Sequence, residues 1–211
     1  MNVADGDIHS FEIISLSSER TLLNRICVND ADLAAMANLL MRQLEFFQKL
    51  NGYDAELYNT IFINIDPQLL FKSISWKNIV PFIFQFKIHV GFDMALVVDE
   101  LPIQTLYAIS RLRALGVMFW INNADEGIYK IPTERLAYFD GVKISKHCFW
   151  QFFSRKEISL LTFSRVAWGE RGVIVEGVEN KHHQTFLKSQ GLIQSQGFHW
   201  RAKLARHLHW H

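Results

Sequence analysis

The sequence predicts an α/β fold, a (β/α) barrel of the TIM type that forms a single domain over residues 1–211. Short β-branched runs alternate with segments of helical periodicity, the order expected for parallel strands joined by helical crossovers. The runs are continuously apolar, as expected for strands buried on both faces. With 211 residues, 49% of them hydrophobic, the chain is long enough for one such barrel. A doubly wound open sheet is the alternative, because periodicity does not distinguish the two.

The strands are predicted from apolar runs and the residues that end them. Residues 60–65 form a β-branched run that stops at Asp66-Pro67, and Pro67 suits the first turn of a following helix. The other predicted strands cover residues 11–16, 95–98, 117–121, 141–144 and 172–175.

The helices are predicted from apolar spacing and capping residues. Asn29-Asp30 can cap a helix whose apolar positions recur every three or four residues as far as Asn51-Gly52. Another periodic segment covers residues 103–115 and is followed by Gly116, a residue suited to a helix C-terminus. Further helices are predicted over residues 157–168 and 181–189.

Composition narrows the functional classes. The formal net charge of +1 argues against a protein that binds nucleic acid or anionic membranes through its overall charge. No apolar stretch reaches the length of a membrane span, and no signal peptide is recognised at the N-terminus. Cys27 and Cys148 are far apart, so we expect buried, reduced thiols. These features together predict a cytoplasmic protein.

Polar residues follow several of the predicted strands. In barrels of this kind the chemistry collects at the carboxyl ends of the strands, so we expect these side chains to share one rim. A single polar residue at a strand end is ordinary, because the chain surfaces there; the order and spacing of the set carry the prediction. The set is Asn64, Asn122, Asn123, Lys143, Glu176 and Gln196, with Glu12 inside the first run.

The late part of the chain resembles a known family. Residues 172–179 read Gly-Val-Ile-Val-Glu-Gly-Val-Glu, and Gln196-Gly197-Phe198 follows twenty residues after Glu176. This is similar to the last strands of EAL domains, the cyclic-di-GMP phosphodiesterase barrels, and the similarity extends over nearly the whole chain. Glu12-Ile13-Ile14 stands where the family has Glu-Ala-Leu. The resemblance implies that the family's functional positions correspond to Glu12, Asn64, Lys143, Glu176, Glu179 and Gln196.

Other family positions are altered. Leu16 stands where the resemblance implies an arginine, and Asn122-Asn123 stands where it implies an aspartate pair. The third ligand, a glutamate, should fall near Leu96 or Val97, where no acid occurs. The loop after the pair reads Ala124-Asp125-Glu126-Gly127. We therefore predict that ligands are lost at Leu16, Val97, Asn122 and Asn123.

These losses predict a barrel without metal, cofactor or catalysis. The family's reaction uses two divalent cations, which need charged oxygen ligands. Asparagine offers only a neutral carbonyl oxygen, and each lost charge-assisted contact costs about 1.5–3 kcal/mol. Leu16 also removes a guanidinium suited to phosphate, and Asp125 and Glu126 would repel it. We therefore expect cyclic-di-GMP to bind poorly.

The resemblance also implies a function. Some free-standing degenerate EAL proteins of enteric bacteria repress motility by binding the flagellar master transcription activator. This chain is similar to those, so we expect an inactive protein whose partner is a subunit of that activator, without direct contact to nucleic acid. Two alternatives are a cyclic-di-GMP receptor that does not hydrolyse its ligand, and a weak phosphodiesterase that uses Asp99 or Glu100 together with Asp125.

Overall fold

A parallel sheet in chain order forms the centre of the protein. The computed structural model describes residues 11–12, 30–51, 60–72 and 76–200. Within them seven strands pair parallel, each with the next along the chain. They are β1 (Phe11–Glu12), β2 (Thr60–Asn64), β3 (Lys87–Asp93), β4 (Met118–Ala124), β5 (Gly141–Ile144), β6 (Val173–Glu176) and β7 (Gln194–Gln196).

The sheet curls until its two outer strands approach each other. Gln196 Nε2 on β7 donates a hydrogen bond of 2.7 Å to Glu12 Oε2 on β1. The strand order also runs without reversal from β1 to β7, whereas a doubly wound sheet reverses its order at a switch point. The predicted α/β barrel is therefore confirmed, and the open-sheet alternative is not.

Helices connect the strands and cover the outer face of the sheet. They are α1 (Asp30–Asn51), α2 (Leu69–Lys72), α3 (Trp76–Ile83), α4 (Met94–Val98), α5 (Ile103–Arg113), α6 (Thr133–Leu136), α7 (Lys146–Arg155), α8 (Ser159–Trp168) and α9 (Lys181–Ser189). Capping side chains fix several of these bounds. The Ser145 side chain accepts a hydrogen bond from the Cys148 backbone N–H at the start of α7, and Asn180 accepts one from His183 at the start of α9.

Two apolar layers lie on opposite faces of the sheet. The larger fills the space between the strands and the helices and includes Phe92, Phe119 and Phe149, each fully buried. The smaller lies inside the barrel, where Phe62, Trp120 and Ile174 pack together. Because successive residues of a strand point to opposite faces, this inner layer shares its face with the polar residues at the strand ends.

Most predicted elements are confirmed, and one is wrong. The strand 141–144 and the helix 181–189 have the predicted bounds, and the other described elements agree within a few residues. The predicted strand 95–98 is instead part of α4, and the strand lies earlier, at β3. Asp93 ends that strand, because its side chain accepts a hydrogen bond of 2.9 Å from the Ala95 N–H and caps α4. Helices α3, α6 and α7 and strand β7 were not predicted.

The structure also bears on the expectations about membrane spans and cysteines. None of the helices within the described residues is both long and apolar enough to cross a membrane. Cys148 is a buried free thiol, as predicted. Burial, and then the charges of Asp125 and Glu126, raise its pKa to about 12, so it is a poor nucleophile at neutral pH. Cys27 lies outside the described residues.

Candidate functional site

Glu12 is the centre of a hydrogen-bonded group at the carboxyl ends of the strands. Its Oε1 accepts from Lys143 Nζ at 2.8 Å and from Asn64 Nδ2 at 3.0 Å, and its Oε2 accepts from Gln196 Nε2 at 2.7 Å. One carboxylate thereby connects β1 to β2, β5 and β7. Together with Asn122 and Glu176, these four residues form what we call the rim cluster: Glu12, Asn64, Asn122, Lys143, Glu176 and Gln196.

Lys143 places a buried positive charge in the rim cluster. Its side chain is 1% exposed, and Nζ lies 2.8 Å from Glu12 Oε1 and 3.2 Å from Glu176 Oε1. The ammonium also lies 5.4 Å from the centre of the Phe62 ring. A buried charge requires paired, hydrogen-bonded surroundings, and these two carboxylates provide them.

Asn122 extends the rim cluster to β4. Its side chain is buried, and Nδ2 donates to Asn64 Oδ1 at 2.5 Å. Asn64 in turn donates to Glu12, so the donors form a directed chain from β4 through β2 to β1. Asn122 Oδ1 is buried and accepts no hydrogen bond from any described residue.

The environment of Glu12 keeps its carboxylate charged. Burial raises its pKa, but the Lys143 ammonium and the hydrogen bonds from Lys143, Gln196 and Asn64 together outweigh burial and hold the pKa below its ordinary value. A lowered pKa contributes stability above the unfolded-state value, and this contribution is lost as the pH falls through the folded-state value. Glu12 therefore stabilises the fold at neutral pH.

Other predicted positions lie apart from the rim cluster. Glu179 pairs with Lys146 at 2.7 Å. Asn123 is exposed, has a left-handed backbone with φ of 55°, and donates to Asp93 Oδ2 at 2.6 Å. Leu16 lies outside the described residues.

Val97 does not occupy the end of a strand, so the predicted position of the third ligand is wrong. Val97 is buried in α4, which follows β3. In the sheet register Asn64 pairs with Gly91, and Asp93 pairs with Asn122. The residue of β3 beside Asn64 is therefore Gly91, which has no side chain. Sequence reasoning missed both Gly91 and Asp93, although the Asp93 capping pattern before an apolar run could have revealed the end of β3.

The rim cluster does not fit two divalent cations. Its two carboxylates, Glu12 and Glu176, already share the Lys143 ammonium, which leaves one net negative charge against four positive ones. The amides Asn64, Asn122 and Gln196 add no charge, and hard cations select charged oxygen ligands. Among the described residues, no three His, Cys, Asp or Glu side chains come together as a metal site.

His89 lies below the rim cluster, inside the barrel. Its ring stacks on Trp120 with 5.6 Å between ring centroids and meets the edge of Phe62 at 4.4 Å. Burial lowers its pKa to about 4, while the Asp140 charge acts in the opposite direction and the Lys87 charge lowers the pKa further. In the unfolded chain His89 therefore takes up a proton near pH 6.5, whereas in the folded barrel it does so only near pH 4.

This difference predicts a pH-dependent stability that His89→Phe should remove. As the pH falls from 6.5 to about 4, wild-type protein should lose about 2–3 kcal/mol of unfolding free energy through this residue. The His89→Phe variant should lose correspondingly less over the same range. Urea unfolding of both proteins at about pH 7 and about pH 4.5 measures the difference, and parallel pH profiles would contradict it.

The overall architecture matches solved EAL-domain structures. The structure described as PaMucR phosphodiesterase in complex with c-di-GMP superposes with a TM-score of 0.59 at 18% identity, covering 81% of this chain and 75% of that one. The EAL enzyme Bd1971, in its cAMP- and cyclic-di-GMP-bound form, gives 0.68 at 16% identity, covering 94% and 58%. The EAL-like domain protein YdiV gives 0.61 at 11% identity, covering 88% and 77%.

The comparisons detect this similarity through structure. No family model matches the chain, and no curated protein matches it. The chain spans 58% of the Bd1971 chain. At these identities the superpositions establish the fold, which is that of an EAL domain.

Proposed function

We propose that this protein is an EAL-like barrel that does not hydrolyse cyclic-di-GMP and acts by binding another protein. The proposal depends above all on the rim cluster, in which the Lys143 ammonium lies between Glu12 and Glu176. A carboxylate that is already paired with a lysine and two amides has little remaining capacity to hold a divalent cation. Without a metal-activated water, the phosphodiester has no strong nucleophile at neutral pH.

The proposed partner is a subunit of the flagellar master transcription activator. The support is the resemblance of the chain to free-standing degenerate EAL proteins; the superposition on the EAL-like domain protein YdiV supports the shared fold. On this proposal the protein represses motility by occupying the activator.

The proposed lack of catalysis predicts that the protein neither hydrolyses nor binds cyclic-di-GMP. We expect no linearised cyclic-di-GMP above the buffer blank with Mn²⁺ or Mg²⁺, and no binding heat up to about 100 µM nucleotide. Glu176→Gln is the matched variant, because a weak phosphodiesterase would lose its turnover on this substitution. Turnover that disappears in Glu176→Gln would establish the enzyme, and binding without turnover would establish the receptor.

The partner is tested in cells that lack this protein. Expression of the wild type should reduce swimming, and a flagellar activator subunit should co-purify with the tagged protein. Glu176→Gln should reduce swimming to the same extent, because the proposed action needs no phosphodiester chemistry. Unchanged swimming, or repression that is lost in Glu176→Gln, would contradict the proposal.

A further inference from the structure

Gly91 lies on β3 where the side chains of Asn64 and Asn122 meet. A Cβ atom at residue 91 would lie 1.9 Å from Asn122 Nδ2 and 2.7 Å from Asn64 Oδ1. Neither distance is possible between non-bonded atoms. The backbone of Gly91 does not have a positive φ, so conformational freedom does not explain a glycine here. The space that a side chain would occupy is filled by the amide of Asn122.

We propose that Gly91 and Asn122 form a steric pair, in which the glycine on β3 leaves room for a direct amide contact between β4 and β2. The resemblance to EAL domains implies an acid on this third strand, and the register places Gly91 beside Asn64. A structural cross-link thus stands where an ion ligand is implied. This inference concerns how the rim is held together, and it does not depend on the proposed protein partner.

The hydrogen bonds make the pair directional. Asn64 Nδ2 donates to Glu12, so its Oδ1 faces Asn122 and accepts a hydrogen bond from it. Asn122 supplies that donor only while its carboxamide crosses the space above Gly91. A side chain at residue 91 would displace the carboxamide and remove the donor from Asn64 Oδ1. A change at either residue therefore alters the consequence of a change at the other.

A double-mutant cycle on thermal unfolding tests the pair. Gly91→Ala should lower the Tm by about 5–10 °C through overpacking, and Asn122→Ala should also lower it. The variant with both substitutions should unfold close to Asn122→Ala alone, because the new methyl group enters the space that the carboxamide leaves and the exposed Asn64 amide, released from Asn122, can turn away from it. Their effects should therefore be strongly non-additive.

Gly172→Ala is the matched control. Its Cβ would lie 2.4 Å from Trp168 Cβ, a comparable overpacking next to residues of α8 and the loop before β5. Its effect should add to that of Asn122→Ala. If Gly91→Ala fails to fold, Asn122→Ala should rescue it, and a failure of that rescue would overturn the inference.

Two further outcomes would overturn the inference: additive effects of Gly91→Ala and Asn122→Ala, or a Gly91→Ala variant with the Tm of the wild type. A rise in the wild-type Tm with Mn²⁺ would also overturn it, because ions would then occupy the rim. These measurements use no nucleotide and no partner. They can therefore fail while the motility and capture experiments succeed, and the reverse also holds.

Discussion

Replacing Lys143 with methionine should lower the free energy of unfolding by about 3–5 kcal/mol at pH 7, the range found when one member of a buried ion pair is removed. The substitution keeps most of the aliphatic stem but removes the ammonium that lies 2.8 Å from Glu12 Oε1 and 3.2 Å from Glu176 Oε1. The Glu12 side chain is only 11% exposed, so water cannot replace the lost partner. Urea unfolding at pH 7 measures the loss.

The pH dependence of this loss gives a second measurement. Without the ammonium, burial should raise the pKa of Glu12 above its unfolded-state value. Such a group is most destabilising at high pH, and the deficit shrinks as the pH falls and the carboxyl group takes up a proton. We therefore expect the difference between Lys143→Met and the wild type to be smaller at about pH 4.5 than at pH 7. A difference that does not change with pH would show that lost packing, and not lost charge, is responsible.

Lys146→Met is the matched control for Lys143→Met. Lys146 Nζ also makes an ion pair, at 2.7 Å from Glu179 Oε1, but the two side chains are 44% and 32% exposed. Exposed pairs contribute about 0–1 kcal/mol, because water screens them and solvates each member alone. The same chemical change should therefore cost several times less at residue 146. Equal losses at the two lysines would contradict the role assigned to the Lys143 ammonium.

The position of the rim residues could be predicted because it follows from a rule of parallel barrels. Strand ends share one edge, so the order of residues along the chain was enough to group Asn64, Lys143 and Glu176. Which of them make contact could not be predicted, because this depends on the residue at which each strand ends. Asn123 follows Asn122 by one residue but is exposed. It lies in the segment between Ile121 and Ala124 where the pairing register of β4 and β5 shifts.

Strand β3 was missed because its pattern differs from the one expected. A strand buried on both faces should read as a continuous apolar run, which favoured residues 95–98. In β3, apolar Ile88, Val90 and Phe92 pack outward against the helices, and they alternate with the residues that face the barrel interior. The interior tolerates polar groups here, because His89 is enclosed by aromatic rings and Gly91 adjoins the amides. The alternation therefore reports an inner face of β3 that carries His89 and Gly91, and not an exposed face.

Replacing Asn122 with aspartate should lower the free energy of unfolding by about 3 kcal/mol at pH 7, since it adds a charge at a buried position and removes the donor to Asn64 Oδ1. The carboxylate would face Asn64 Oδ1 at the position from which Asn122 Nδ2 now donates. A flip of Asn64 would not relieve this, because its Oδ1 would then face Glu12 Oε1, which now accepts from Asn64 Nδ2. Chemical denaturation at pH 7 and about pH 4.5 should show the deficit shrinking in acid, where the introduced carboxyl group takes up a proton and can donate.

Asn123→Asp is the control for Asn122→Asp. It is the same substitution one residue later, and Asn123 also donates to an acceptor, Asp93 Oδ2. Because this side chain is exposed, water can solvate the new carboxylate, and asparagine and aspartate both tolerate the left-handed backbone at this position. The loss should stay below about 1 kcal/mol. An Asn122→Asp protein that is as stable as the wild type, and whose Tm rises with Mn²⁺, would show instead that the rim accepts an ion once a single acid is restored.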